Sequence, residues 1–272
     1  MQYIGSANAA RGCFSGDMSV QLVSGRHLAI SSLQPGTKIM SFNNEGFLQE
    51  DVFLSFMHVD IADSMNDTIE FVSLETESGD EVQLTTNHLL YSVDNDSYCH
   101  SISNNSTKRS IIHINNTIQH ISFESARAVF AGKVKPGDLV FLSKNRTLPF
   151  SHGLNQQLLY PRRIASVRRT PSIKAAYAPL TFSGNILING MAASCYAVIE
   201  NHIVAHVVTS PERYFHYLKN AFFGNQADDL LEVRPSSHYK NSDEINVSTY
   251  LSTLHYLASK ILPENIFWSA AL

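Results

Sequence analysis

No apolar run in this chain approaches the ~20 residues needed to cross a bilayer as a helix, so no transmembrane helix is expected. An excess of either charge is also missing. Acidic residues number 24 and basic residues 20, for a net charge of −4, and basic residues cluster only in the short pairs Arg162, Arg163 and Arg168, Arg169. Nucleic acid is therefore not an expected partner. Cysteine is scarce. Cys13, Cys99 and Cys195 are too few and too scattered for a disulfide framework or a zinc ribbon, and their odd number leaves at least one thiol free. A chain of 272 residues buries a core without such staples, so neither a metal nor a cofactor is expected. The start, MQYIGSANAARGCF, lacks the charged head and apolar stretch of a signal peptide.

Other features point to a secretory route. Seven triplets match the N-glycosylation acceptor pattern, at Asn66, Asn95, Asn104, Asn105, Asn115, Asn145 and Asn246. A secreted chain without a signal peptide is expected to be a fragment, with residues 1–12 as the stub of an upstream domain.

From Met18 to about Val208, short apolar runs such as SVQLVSG, TKIMSF, TIEFVSLET, DLVFLS and GNILING alternate with Gly, Pro, Asn and Asp, which predicts an all-β domain. Gly79-Asp80, between TIEFVSLET and EVQLTTNHLLYSV, predicts a hairpin turn. The segments LAISSLQPGTKIMSF and AVFAGKVKPGDLVFLS are alike. In each a Pro-Gly turn, Pro35-Gly36 or Pro136-Gly137, launches an apolar strand two residues later. Matching flanks imply a duplicated β subdomain and a pseudo-twofold architecture. The polar stretches from Asp94 to about Gln119 and from 145 to 160 are expected to be surface loops. After Val208 the period changes to that of helices, with Tyr214, Leu218, Ala221 and Phe222 on one face and Tyr250, Leu254, Leu257, Ala258 and Ile261 on another. Two amphipathic helices are expected to form an appendage over 209–272.

The chemistry centres on Gly12-Cys13-Phe14. Taken alone, such a cysteine is most often a buried small residue. A thiol can also attack the carbonyl before it and turn the amide into a thioester, a step that is uphill unless the fold strains the bond, and glycine tolerates strained angles. The step needs an acid for the departing nitrogen and a group that holds the peptide. Thr85 and His88 of LTTNHLL have the side chains for both tasks, although a Thr and a His at this spacing can equally be a satisfied core pair.

Gly12-Cys13-Phe14, Leu33 with Pro35-Gly36, Thr85 with His88-Leu89-Leu90, Tyr177-Ala178-Pro179-Leu180-Thr181 and Ala193-Ser194-Cys195-Tyr196-Ala197-Val198-Ile199 occur in a familiar order. Over residues 12 to about 211 the chain resembles the C-terminal autoprocessing domain of Hedgehog proteins, a Hint fold related to inteins. The resemblance implies a mostly β Hint domain over 13–208 and a sterol-recognition region over 209–272. It implies cleavage of the Gly12–Cys13 bond through a Cys13 thioester, with Thr85 and His88 contacting the scissile amide. Cholesterol would then take the upstream signalling domain as an ester, in the endoplasmic reticulum or beyond. The covalently attached upstream domain and the sterol are the implied partners, and a monomer is expected. Cys195 matches a family cysteine near the active site that could pair reversibly with Cys13; as a residue it reads equally as a buried strand cysteine.

One position departs from the family. The Asp that acts on the sterol hydroxyl is replaced by His58. Three readings follow: His58 is a working base, Asp60 or Asp63 takes over after a register slip, or the acceptor has changed. The rivals to sterol transfer are hydrolysis of the thioester and a processing-dead domain that helps an attached ligand fold and leave the cell.

Overall fold

The two Pro-Gly turns fold alike. In this computed structural model each follows one turn of 3-10 helix, at Ile30–Ser32 and Ala131–Lys133, and each glycine carries a left-handed φ, +90° at Gly36 and +97° at Gly137. Only glycine adopts such a φ without steric cost. The structure describes residues 12–61, 68–94, 112–114, 117–119, 121–143, 158–172, 174–197 and Pro211. The expected helical appendage, the stub before Gly12, Asp63 and Cys99 lie outside the described residues.

The first half of the chain contributes β1 (Phe14–Ser15), β2 (Ser19–Gln21), β3 (His27–Ala29), β4 (Lys38–Phe42), β5 (Leu48–Asp60), β6 (Ile69–Thr76), β7 (Glu81–Thr85) and β8 (His88–Val93). The second adds β9 (Ile112–Ile114), β10 (Thr117–Gln119), β11 (Arg127–Phe130), β12 (Leu139–Leu142), β13 (Tyr160–Ser172), β14 (Ala176–Thr181), β15 (Asn185–Ile188) and β16 (Met191–Ala197). The order β3, β4, β5, β6 is matched by β11, β12, β13, β14. Both long strands, β5 and β13, run for 13 residues and follow the strand launched by the Pro-Gly turn.

The halves exchange partners. Long strand β5 pairs antiparallel with β14 of the second half, and β13 pairs antiparallel with β6 of the first. A single 12-stranded sheet results, along which β6, β7, β1, β14, β5 and β4 are successive neighbours. Phe14, Phe53, Val72, Leu74, Leu84, Leu90, Val140, Leu180 and Ile186 pack between its folded faces, all at most 2 % exposed. Burial of each such side chain contributes ~1.5–3 kcal/mol relative to exposure. A second cluster sets Phe123 edge-on to Phe42 and Phe141 at 5.2 Å.

The hairpin at Gly79-Asp80 forms, joining β6 to β7 with φ +81° at Gly79. One expectation is corrected. The stretch from Asp94 to Gln119 is not loop throughout, since Ile112–Ile114 and Thr117–Gln119 pair as a separate antiparallel hairpin, for which their β-branched residues suit them. The Arg162, Arg163 and Arg168, Arg169 pairs sit on β13. A strand carrying four arginines and prolines near both ends shows none of the apolar alternation by which strands are read.

Candidate active site

Cys13 lies one residue ahead of β1, and β1 runs between two neighbours. Phe14 stands opposite Leu84 of β7 on one side and Tyr177 of β14 on the other. One step back along the antiparallel register, Cys13 therefore stands between Thr85 and Ala178. Ala178 in turn pairs with His58 of β5. Thr85, Cys13, Ala178 and His58 thus form one row across four strands. Adjacent strands lie ~4.8 Å apart, so Cys13 and His58 are two spacings apart and meet only if the residue between them is small. Ala178 is small and fully buried, and over it Cys13 Sγ comes within 2.9 Å of His58 Nε2.

Thr85 grips Cys13 at both backbone groups. The Cys13 N–H, which belongs to the Gly12–Cys13 amide, donates to Thr85 Oγ1 at 2.8 Å, and the Thr85 N–H donates to the Cys13 carbonyl at 2.8 Å. A two-residue turn, Thr86-Asn87, then brings His88 in at the head of β8, its ring 3.9 Å from that of Phe14. Gly132 of the second half supports this turn by donating its N–H to the Thr86 carbonyl at 2.9 Å.

His88 is fully buried, and burial lowers its pKa from 6.5 to about 4. The Ser194 and Gly12 backbone groups pull it up, and the charge of His58 pushes it down. Its Nε2 lies 2.8 Å from the Ser194 carbonyl oxygen. A carbonyl can only accept, so Nε2 carries the hydrogen and the neutral ring keeps its lone pair on Nδ1. Nδ1 makes no hydrogen bond of full geometry. To protonate a departing nitrogen it must first take up a proton, and a ring with so low a pKa releases that proton readily.

Cys195 is fully buried, as Cys13 is. Its Sγ lies 3.5 Å from Thr181 Oγ1 in the main core, and its neighbour Ser194 supplies the carbonyl that holds His88. Asp60, named from the sequence only as a register-slip substitute, needs no slip. Its Oδ2 is 4.0 Å from Cys13 Sγ and 3.9 Å from His58 Nε2. Among the described residues, Cys13, His58 and Asp60 are the group of thiol, imidazole and carboxylate whose reactive atoms all lie within 4.8 Å of one another. A thiol, an acceptor for its proton and a counter-charge are the parts of an activated nucleophile.

A site that clamps the peptide bond ahead of its own cysteine, in a sheet exchanged between two half-repeats, belongs to a self-processing module. The model of the Hint module matches residues 4–263, and the chain belongs to that family. Its relatives are hedgehog proteins. It is 29% identical over 203 residues to the Sonic hedgehog protein of Xenopus laevis, covering 75% of this chain and 37% of that one. It is 26% identical over 257 residues to the Tiggy-winkle hedgehog protein of Danio rerio, covering 94% and 50%. The chain thus spans half or less of the length of these relatives. Among solved structures, the Ssp DnaB mini-intein variant M86 superposes with a TM-score of 0.46 at 15% identity, covering 67% of this chain and 92% of that one.

Proposed function

We propose that the chain cleaves its own Gly12–Cys13 peptide bond through a Cys13 thioester and passes the upstream polypeptide to cholesterol as an ester. The observation that carries the first half is the grip on the scissile amide. Its N–H is bound by Thr85, the Gly12 backbone lies beside His88, and Cys13 Sγ touches an imidazole. Covalent catalysis divides one hard acyl transfer into two easier ones.

In the first step the Sγ proton passes to His58 Nε2, Sγ bonds to the Gly12 carbonyl carbon, and the C–N bond breaks. The departing Cys13 nitrogen takes a proton from Nδ1 of protonated His88. In the second step the sterol hydroxyl attacks the same carbonyl carbon and gives its proton to a base. Sγ leaves as a thiolate and is reprotonated. His58, in contact with Sγ, is the base best placed for that proton once it has passed the thiol's proton to solvent, as a working substitute for the family's Asp. The segment 209–272 would present the sterol. The upstream polypeptide would be a signalling domain, and the reaction would belong to the secretory pathway. Each molecule turns over once.

The test is a fusion with a reporter ahead of Gly12. With cholesterol supplied, the released reporter is expected to gain one sterol mass, and Cys13→Ala is expected to abolish release. A bare acid or a thiol adduct as the sole product would replace sterol transfer with hydrolysis. Unchanged release from Cys13→Ala would remove self-cleavage altogether.

A further inference from the structure

We propose that Asp60 is a positioning residue of thioester formation, whose carboxylate stabilises His58 in the charged state it enters on taking the Cys13 thiol proton. The proposal rests on Cys13 as the nucleophile of self-cleavage. It is carried by geometry. Residues two apart on a strand share a face, so β5 presents His58 and Asp60 together toward Cys13. The partner of Asp60 on β14 is Ala176, and the partner of Ala176 on β1 is Ser15, so small residues line that side of the site as well. Sγ, Nε2 and Oδ2 form a triangle with sides of 2.9, 3.9 and 4.0 Å. The Asp60 side chain is 13 % exposed, against 26 % for His58.

The chemistry asks for a counter-charge there. Thioester formation needs His58 to hold the thiol proton while His88 delivers another to the departing nitrogen, and a charge on His58 disfavours one on His88. The thiolate offsets the first imidazolium only until Sγ bonds to the carbonyl carbon and loses its charge. A carboxylate at 3.9 Å keeps offsetting it afterwards. Among the described residues, titratable groups facing His58 include Cys13 ahead of β1, Asp60 on its own strand and His88 on β8, while β14 sets the uncharged Ala178 opposite.

The experiment follows the reporter fusion, with enough dithiothreitol to make thioester formation rate-limiting, from about pH 5 to about pH 9. For Asp60→Asn the plateau rate is expected to fall roughly 10- to 100-fold, the scale of losing a unit charge at this distance. The acid limb is expected to move to lower pH, because an imidazole without its counter-charge releases its proton more easily. Asp60→Glu should recover part of both effects. An unchanged plateau and limb would overturn the proposal. So would a uniform loss of rate with no shift of the limb and a lowered melting temperature, since that pattern marks a structural residue. Normal thiol-triggered cleavage with slowed sterol transfer would also overturn it, assigning Asp60 to the acceptor. Cleavage surviving Cys13→Ala would instead remove the underlying self-cleavage.

Discussion

At the scale of single residues, the His58 imidazole is the group in contact with the Cys13 thiol. An aspartate there would lie beside Asp60, and two carboxylates next to one sulfur repel both each other and the thiolate. His58→Asp is therefore expected to slow thioester formation, read as the rate of dithiothreitol-triggered release. A faster rate would show that imidazole is the poorer base at this site. Cys13, Thr85 and His88, which the fold brings together, were singled out in the sequence through the family resemblance, since alone such a cysteine reads as a buried small residue and such a Thr and His as a core pair. Ser194 and Ala178 were not legible as working residues. One acts through its backbone carbonyl and the other through lacking a side chain beyond Cβ, and neither leaves a mark in composition. Asp60 appeared only as an alternative, since nothing in the sequence ties an aspartate two residues further along the strand to a sulfur one strand beyond the next.

At the scale of elements, the site depends on turns that the duplication supplies. A Cβ on Gly132 would meet Thr86 Cγ2 at 2.3 Å and the Thr86 carbonyl oxygen at 3.3 Å, so the turn between Thr85 and His88 would have to move. Gly132→Ala is expected to slow cleavage markedly while costing about 1–3 kcal/mol of stability, as overpacking does. Gly36→Ala supplies the contrast. No atom lies within 4 Å of its Cβ position, but φ is +90°, so it is expected to cost about 1–2 kcal/mol with little change in rate. Cleavage kinetics and urea unfolding of both variants check the pair. The Pro-Gly turns and their flanks made the repeat legible. Strand β13 escaped because its arginines meet acids across the sheet rather than an apolar core: Arg168 reaches Glu75 at 3.1 Å and Arg169 reaches Glu70 at 3.4 Å.

At the scale of the whole molecule, His88 makes stability depend on pH. Its folded-state pKa of about 4 lies below the ordinary 6.5, so between those values the unfolded chain binds a proton that the folded chain refuses. Stability therefore falls as pH drops from 6.5 to 4. The shift is worth about 3 kcal/mol in all. Urea midpoints are expected to follow that slope in the wild type and to flatten in His88→Gln; parallel slopes would place the effect elsewhere. Folding thus keeps this imidazole uncharged near neutral pH.

The exchange of long strands between the halves also sets a clock. Thr85 and His58 come from the first half, but Ala178 and the Ser194 carbonyl come from the last strands of the second. The Gly12–Cys13 bond, the one proposed to be cut, precedes all of them. While a ribosome is still making the chain, at ~5–20 residues per second, that bond stays unactivated for roughly tens of seconds, until Ser194 has emerged and both halves have paired. A truncated or misfolded copy does not assemble the row, so under the proposed cleavage completed synthesis of this domain becomes a condition for freeing a polypeptide ahead of it.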